Sequence, residues 1–385
     1  MTYKLTDEHE MIRSSAKELA QQEIAPMAEK IDEEDQFPKE ALLKIAEYGF
    51  MGMTISDEYG GSGTDFLSYI IALEEIAKAS GTVAFLMMMH NSMAGFLLDN
   101  YAPESVKKEY LESMASGEIY GAFALAEHGA GSDLSKITTV AEKKEGFYVV
   151  NGRKAWVTAA GEADLYVVVA KEKESGKPII LIVDKDVEGL SFGIDYKMLG
   201  MKGSSIRDIY LDNVQVPAEK AITENVDKIV RRVLDIGRVS SSAIGVGLAQ
   251  ISIDEALIYC NQRKQFGRFI GKFGALQDYI GDIASKTEAA RQLVYHAAAI
   301  IDNEYDFHMK SMITKVFASE VSAFVTKKSI LIHGGIAYTK DRPIERFARD
   351  ARALLSLWET NDVLRGKIAR NLLGYPEDEE APFRI

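Results

Sequence analysis

Residues 120–136 read YGAFALAEHGAGSDLSK, and the pattern of the chain changes at this stretch. Phe123–Ala126 have the apolar and aromatic composition of a short strand. They run into a loop in which Gly129, Gly131 and Ser132 leave room for a close approach to the backbone. The stretch therefore separates a helical pattern before it from a strand pattern after it.

Upstream of this stretch, apolar residues recur at helical spacing. Thr6 is a candidate N-cap because Asp7 and Glu8 follow it in the first turn, where acidic side chains favour the helix dipole. Further helices are predicted at Lys39–Tyr48, Asp65–Lys78, Val83–Leu98 and Ser105–Ala115. We assign residues 1–118 to an N-terminal helical domain.

Downstream, short segments rich in β-branched and aromatic residues predict strands at Phe147–Val150, Leu165–Ala170, Ile179–Val183, Leu190–Ile194 and Ile209–Val216. No ten-residue helical pattern separates them, which disfavours a parallel βαβ sheet. A compact barrel or sandwich is the expected closure, and residues 119–222 form the middle β domain.

The remaining segment, residues 223–385, returns to helical spacing. Helices are predicted at Val226–Gln262, Leu276–Asn303, His308–Ile332 and Asp362–Leu373. Four helices of this kind favour an antiparallel bundle. The predicted fold class is therefore α+β, with an N-terminal helical domain, a middle β-barrel domain and a C-terminal four-helix bundle.

Composition excludes several classes of function. The 45 basic and 58 acidic residues give a net charge of −13, which argues against a nucleic-acid surface and a polybasic membrane patch. No signal peptide or uncharged membrane-spanning run is evident, since His90, Asn91 and Ser92 interrupt the longest apolar stretch. The single cysteine, Cys260, suits a reducing compartment. We expect a cytoplasmic protein with 47% hydrophobic residues and a substantial core.

Common catalytic fingerprints are absent from the sequence. Neither GxGxxG after a strand nor GxxxxGK[ST] occurs, and GxSxG is also missing. The six histidines include no pair four residues apart, so no metal site is predicted.

Two windows in the β domain suit a flat, phosphate-bearing ligand. The loop 127–133 presents backbone N–H groups that can approach a phosphate, although an ordinary glycine-rich turn explains it too. Residues 151–158 read NGRKAWVT, and strand alternation puts Trp156 and Thr158 on one face. An aromatic ring and a hydroxyl so placed suit a heterocycle, with a core tryptophan as the alternative.

Three windows follow in the helical C-terminal segment. Residues 263–267 read RKQFG at the end of a long predicted helix, and residues 333–338 read HGGIAY between two helices. Residues 343–352 read PIERFARDAR, and WETND follows at 358–362. Arg263 and Phe266 could serve a pyrophosphate and an adenine, or form a solvated helix end.

Together and in this order, the windows resemble the acyl-CoA dehydrogenase family over essentially the whole chain. The matching stretches are AEHGAGSD, NGRKAWVT, RKQFG, HGGIAY and ERFARDAR. The resemblance implies FAD between the barrel and the bundle, an acyl-CoA or enoyl-CoA substrate, and an electron-transferring flavoprotein as partner. It also implies a homotetramer built as a dimer of dimers.

The resemblance assigns residues to two groups. The expected FAD-binding residues are Phe123, Leu125, Ala126, Ser132, Trp156, Thr158, Arg263, Phe266, Leu331, Gly334, Gly335, Thr360 and Asp362. The expected substrate-side residues are Ser132, His90, Asp235, Arg238 and Trp358. Met87, Met88 and Met89 are candidates for the acyl pocket, with a core stripe as the alternative.

The sequence departs from the family at the catalytic base. The family glutamate lies nine residues after the arginine of RDA and two before a threonine, and both counts reach Trp358. A tryptophan cannot accept a proton from carbon. Some members carry the glutamate just before the arginine of the long helix, but Gly237 stands there. Further expected FAD contacts are replaced by Ala126, Gly274 and Leu331.

Four alternatives remain for the base. Glu359, next to Trp358, could turn inward and be activated by burial. His90 lies where some members carry an acid, and Asp362 is also within the region. The fourth alternative is that no protein base is used.

Three functional hypotheses follow from the resemblance. The first is α,β-dehydrogenation of an acyl-CoA, or the reverse reduction of an enoyl-CoA. The second is an atypical flavin-dependent reaction on a CoA thioester, such as 1,4-dehydrogenation or desulfinase-like elimination. The third is a non-catalytic thioester-binding homologue.

Overall fold

The computed structural model describes residues 4–301 and 307–375. The segment before residue 119 is helical, as predicted. Its α-helices are α1 (Asp7–Leu19), α2 (Ala25–Glu34), α3 (Lys39–Glu47), α4 (Phe66–Ala79), α5 (Gly81–Met88), α6 (Phe96–Tyr101) and α7 (Glu104–Ala115). The predicted cap is confirmed, because the Thr6 hydroxyl accepts a hydrogen bond from the His9 N–H while the His9 ring accepts one from the Thr6 N–H.

The helix expected at Val83–Leu98 begins earlier and is not uniform. The Ser80 hydroxyl accepts a hydrogen bond from the Val83 N–H, so that the helix begins at Gly81. After α5 the chain forms a π-helix over Met89–Gly95 before α6 continues. Such π-turns are frequent at functional sites. No residue pattern in this stretch had predicted the π-helix.

The middle segment is strand-rich, as predicted. Its strands are β1 (Gly121–Ala124), β2 (Val140–Lys143), β3 (Phe147–Val157), β4 (Leu165–Glu172), β5 (Pro178–Asp184), β6 (Leu190–Phe192), β7 (Arg207–Pro217) and β8 (Ala221–Ile222). They form one sheet in the order β6-β7-β3-β2-β4-β5-β8, with β1 beside β4. The pairings β1–β4 and β2–β4 are parallel and the others in this sheet are antiparallel. Strand β2 escaped prediction because it is short and carries two charges.

The C-terminal segment is again helical, as predicted, with α8 (Val226–Gln262), α9 (Gly274–Ile301), α10 (His308–His333), α11 (Ile344–Ala353) and α12 (Asn361–Leu373). A small hairpin of β9 (Lys264–Gln265) and β10 (Arg268–Phe269) joins α8 to α9. Helix α8 packs against α9, α10 and α4. Helix α11 was not predicted, because half of its residues are charged.

Helix α11 ties the three segments together. The Arg349 guanidinium forms two hydrogen bonds of 2.8 and 2.7 Å with the Asp32 carboxylate of α2. The next residue, Asp350, accepts a 2.6 Å hydrogen bond from the Met201 N–H of the middle segment. Asp350 is buried, and burial raises its pKa to about 6. The active-site candidates lie around this junction.

Two helical stretches, Gly81–Tyr101 and Val226–Gln262, are long and apolar enough to cross a membrane by length and composition alone. Most residues of each apolar window are buried inside the protein. Core helices of folded domains have the same property, so these stretches are weak evidence for a membrane location.

Candidate active site

The glycine-rich loop, residues 127–133, is anchored by a buried ion pair. The Lys154 ammonium lies 2.9 Å from a Glu127 carboxylate oxygen and donates to the Leu125 carbonyl. The Glu127 carboxylate also accepts hydrogen bonds from the N–H and hydroxyl groups of Thr138 and Thr139. This fixes the start of the loop and leaves Gly129 and Gly131 exposed, with open space where a side chain would stand.

The titration of this pair agrees with its geometry. Burial opposes ionisation of Glu127, but Lys154 and the two threonines outweigh it and lower its pKa to about 2. Burial lowers the pKa of Lys154 to about 8, although Glu127 acts in the opposite direction. Sequence reasoning missed both residues. The sequence sign of this buried pair was Lys154, a charged residue within the strand pattern of NGRKAWVT.

Trp156 and Thr158 are two residues apart at the end of β3. The register of β3 against β7 shifts between Lys154 and Val157, and Trp156 adopts a left-handed φ of +54°. Strict alternation therefore fails here. Trp156 is 48% exposed, which excludes the core-tryptophan alternative. Thr158 is nearly buried, and its hydroxyl has no hydrogen-bond partner in the part of the chain that the structure describes.

His128 stands beside Trp156 and was not predicted to matter. The two rings meet edge to face with centroids 4.9 Å apart. The His128 Nε2 lies 3.0 Å from the Asp208 carboxylate, which also accepts from Arg153. Through these contacts, His128 and its partner Asp208 hold the exposed Trp156 indole in position.

Three further residues expected at FAD, Phe123, Leu125 and Ala126, lie in β1 or directly after it. Phe123 and Leu125 are buried, and Ala126 is partly exposed. The Ala126 carbonyl accepts a 2.8 Å hydrogen bond from the Ala155 N–H, which joins β1 to β3 next to Trp156. Ser132 is exposed in the glycine-rich loop.

The C-terminal windows lie on the surface of this single chain. Arg263 is exposed, and Phe266, with a φ of +49°, is 92% exposed in the β9–β10 hairpin. Gly334 and Gly335 are exposed with open space around them, and Leu331 is half exposed. A cavity of about 520 Å³ opens beside this turn. The resemblance assigns these residues to the FAD of a neighbouring subunit, which suits their exposure.

Thr360 and Asp362 begin α12. The Thr360 hydroxyl accepts a hydrogen bond from the Val363 N–H and so caps the helix. The Asp362 side chain is 94% exposed and pairs with Arg365 at 3.2 Å. A carboxylate so exposed is a poor candidate for a buried catalytic base, although an exposed helix start suits a phosphate group.

The α11–α12 turn, residues 354–360, carries Trp358 and Glu359. One Glu359 oxygen lies 2.6 Å from Arg238 of α8, and the other lies 2.6 Å from Lys367 of α12. Arg238 is fully buried and also donates to Asp235 at 2.6 Å. Both Glu359 oxygens are therefore held in ion pairs, and neither accepts a proton without breaking one.

Asp235 and Arg238, expected on the substrate side, belong to this buried charge network. Asp235 accepts hydrogen bonds from Arg238, His308 and Ser311. Burial opposes ionisation of Asp235, but the hydrogen bond from His308 and the Arg238 charge lower its pKa. Arg238 thus links Asp235 to Glu359 of the α11–α12 turn.

A buried lysine clamps the same turn from α10. The Lys315 ammonium donates to the carbonyls of Leu355 and Glu359 and to the Asn361 side chain, at 3.2, 2.8 and 2.8 Å. Burial, followed by the Arg238 charge, lowers the pKa of Lys315 to about 7. Sequence reasoning missed this residue, which lies 44 positions before Glu359 in the turn that it supports.

The Trp358 indole packs against α8. A side-chain carbon on Gly237 would lie 3.0 Å from Trp358 Cε2 and 2.9 Å from Met93 Sδ. The two positions at which a family glutamate was sought therefore face each other, and the indole fills the space between them. Met87, Met88 and Met89 are buried in the neighbouring helix.

His90 does not serve as a base in this arrangement. It is fully buried, its Nε2–H donates to the Met114 carbonyl and its Nδ1 accepts from the Gly121 N–H. Burial lowers its pKa to about 4, so that it stays neutral. Nε2 connects the π-helix to α7 and Nδ1 connects it to β1, so that in this structure neither nitrogen is free to contact a substrate.

The arrangement combines an exposed indole, an unpartnered threonine hydroxyl and an anchored glycine-rich loop. A flat heterocycle can stack on the indole and accept a hydrogen bond from the threonine hydroxyl, and a phosphate can approach the backbone of the glycine-rich loop. These residues fit a flavin dinucleotide. The region around Trp358 offers no free carboxylate among the three candidates considered above.

Comparison with known proteins agrees with this arrangement. Models of the acyl-CoA dehydrogenase N-terminal, middle and C-terminal domains match residues 6–118, 122–214 and 228–373. A 3-(aryl)acrylate reductase from Clostridium sporogenes is 38% identical over 375 residues, covering 96% of this chain and 99% of that protein.

Two further relatives extend the comparison. A subunit of a caffeyl-CoA reductase–Etf complex from Acetobacterium woodii is 36% identical, covering 96% of this chain and 99% of that subunit. The structure of butyryl-CoA dehydrogenase from Megasphaera elsdenii superimposes with a TM-score of 0.93 at 31% identity, covering 97% of this chain and 100% of that one. The protein belongs to the acyl-CoA dehydrogenase family.

Proposed function

We propose that the protein is an FAD-dependent oxidoreductase that acts on a CoA thioester at Cα and Cβ of the acyl group, with an electron-transferring flavoprotein as its electron partner. The carrying observation is the half-exposed Trp156 indole at the end of β3, two residues before Thr158, whose hydroxyl has no hydrogen-bond partner within the described residues. FAD supplies the hydride chemistry when bound. The relatives act in both senses, since butyryl-CoA dehydrogenase and caffeyl-CoA reductase are among them.

Different residues of the chain bind the flavin ring, the phosphate groups and the FAD of a neighbouring subunit. Trp156 and Thr158 bind and orient the flavin ring, and the loop held by Glu127 and Lys154 receives phosphate groups. Phe123, Leu125 and Ala126 wall the flavin side, while Arg263, Phe266, Leu331, Gly334, Gly335, Thr360 and Asp362 contact the FAD of a neighbouring subunit or its phosphates. This division requires an assembly, for which we propose a homotetramer in the cytoplasm.

The α11–α12 turn bears on the proton transfer at Cα, a step that both directions of the reaction share. Removal of a proton from a saturated Cα needs a positioned base, and Glu359, His90 and Asp362 are all otherwise engaged. In the reverse direction, hydride addition at Cβ places the negative charge on Cα and the thioester oxygen. A proton from solvent then completes the saturated product.

The first experiment records the visible spectrum of the purified protein and titrates it with FAD. Flavin absorbance that stays with the protein is expected. After anaerobic reduction, crotonyl-CoA is added, and return of the oxidised flavin spectrum is expected. A preparation that stays colourless after added FAD would overturn the proposal.

A matched pair of variants locates the flavin. Thr158→Val removes one hydroxyl with little change of shape and should weaken FAD binding about fivefold, as one hydrogen bond of ~1 kcal/mol implies. Thr223→Val, at an exposed threonine after β8, should leave FAD binding as it is. Equal FAD affinity in both variants would remove Thr158 from the site.

A further inference from the structure

Trp358 of the α11–α12 turn and Gly237 of α8 are in direct contact and form a matched pair. Any side chain at position 237 would approach the indole to 3.0 Å and Met93 Sδ to 2.9 Å, which is closer than carbon contacts normally become. Only glycine at this place on α8 lets the indole lie flat against the helix backbone. Trp358 stands at one position where the family carries its base, and it therefore requires glycine at the other such position, Gly237.

The indole is held in place from several sides. Trp358 and Glu359 have left-handed φ values of +51° and +81°, a conformation that costs free energy for residues with side chains. The ion pairs of Glu359 with Arg238 and Lys367, and the Lys315 hydrogen bonds to the turn, hold this conformation. The indole cannot swing away from Gly237 unless these contacts break.

The indole also has an unused hydrogen-bond donor. Its Nε1 is buried and has no hydrogen-bond partner within residues 4–301 and 307–375. A buried donor left unpaired is costly, and this one lies against Gly237 of α8 and does not face solvent. The side chain as a whole is partly exposed, so the apolar ring is the part that a ligand can contact.

We propose that Trp358 is a specificity-determining residue, which selects CoA thioesters with a flat α,β-unsaturated acyl group over saturated ones of the same length. The proposal rests on the proposed function and names its substrate class. Conjugated carbons are planar and have a π-face that stacks on an indole, whereas a staggered saturated chain meets the ring with less contact.

The test compares crotonyl-CoA with butyryl-CoA, which share four acyl carbons and differ in one double bond. Equilibrium dissociation constants are measured by calorimetry on the FAD-loaded protein without oxygen. We expect crotonyl-CoA to bind about tenfold more tightly, within the range of aromatic contact energies. Trp358→Phe should keep most of the preference, and Trp358→Leu should reduce it below about twofold.

The outcomes separate the two proposals. Binding of neither thioester by the native protein would contradict the proposed function. Binding of both with equal affinity would overturn only the role of Trp358, as would an unchanged preference in Trp358→Leu.

A second measurement tests the matched pair without ligand. Gly237→Ala should lower the denaturant midpoint of the protein, because the new methyl group displaces the indole. In the Trp358→Leu background the same alanine should lower the midpoint less than it does in the native protein. Strictly additive shifts would show that Gly237 and Trp358 are independent and would overturn the pairing.

Discussion

The glycine-rich loop and the α11–α12 turn are both anchored by a buried lysine. The loop keeps the residues of the family motif, whereas the turn does not keep the residue expected at the chemical position. In the loop, Lys154 meets a carboxylate, Glu127, and the motif residues around it match the family. In the turn, Lys315 meets mainly carbonyl oxygens, and the residues at the chemical position have changed. The anchor of the turn is present although its expected catalytic glutamate is not.

The difference shows how a loop can keep its shape while its chemistry changes. Glu359 stands next to the expected base position, yet its carboxylate binds Arg238 and Lys367 and so supports the turn. The adjacent Trp358 then occupies the space that Gly237 leaves free. A scaffold held by contacts outside the reacting position tolerates substitution at that position.

The largest expected effect is at the loop. Lys154→Met leaves the Glu127 carboxylate buried without its cation, and breaking a buried pair in this way costs about 3–5 kcal/mol. Unfolding in urea measures the loss. Lys143→Met, at an exposed position on β2, is the matched control and should change stability by less than about 0.5 kcal/mol. A loss below 1 kcal/mol at Lys154 would mean that the pair does not anchor the loop.

A smaller effect is expected at the turn. Lys315→Met leaves the Glu359 carbonyl without a donor and removes one of two donors from each of the Leu355 carbonyl and Asn361 Oδ1, which costs about 2–3 kcal/mol in total. The same unfolding experiment applies, with Lys327→Met on the exposed side of α10 as control. If Lys315→Met proved as costly as Lys154→Met, the contrast between a charged and a neutral partner would fail.

The pH dependence sharpens the comparison. Burial depresses the pKa of Lys315 to about 7 and that of Lys154 to about 8. Above these values the unfolded chain binds a proton that the folded protein has lost, so the free energy of unfolding rises with pH until the ordinary lysine pKa is reached. The slope reaches at most about 1.4 kcal/mol per pH unit.

Difference curves isolate each lysine. The stability of the native protein minus that of Lys315→Met should begin to rise near pH 7, and the corresponding Lys154→Met difference near pH 8. A Lys315 difference that is flat from pH 7 to 10 would show that this lysine stays charged when folded.

The two regions also differ in what the sequence could reveal. The α–β–α order and the windows around Trp156 were predictable because each depends on local periodicity and on contiguous motif residues. The Gly237–Trp358 contact joins residues 121 positions apart, and the Lys315 clamp acts through backbone oxygens that any residue provides. The bulge at Trp156 depends on pairing with β7, which alternation within β3 does not contain. Glu359 was judged by its position next to Trp358, whereas its partners came from α8 and α12.

The smallest expected effect decides the role of Glu359. Glu359→Gln keeps the size of the side chain but removes its charge, so that Arg238 retains Asp235 alone among these partners. The loss of stability should be about 1 kcal/mol, and the rate at which crotonyl-CoA reoxidises the reduced protein should fall by less than tenfold. A positioned proton-transfer group contributes about 10²–10⁴-fold to a rate. A fall of that size, with Glu145→Gln at the exposed turn before β3 unaffected, would return Glu359 to the chemistry and make the turn a catalytic element rather than a binding wall.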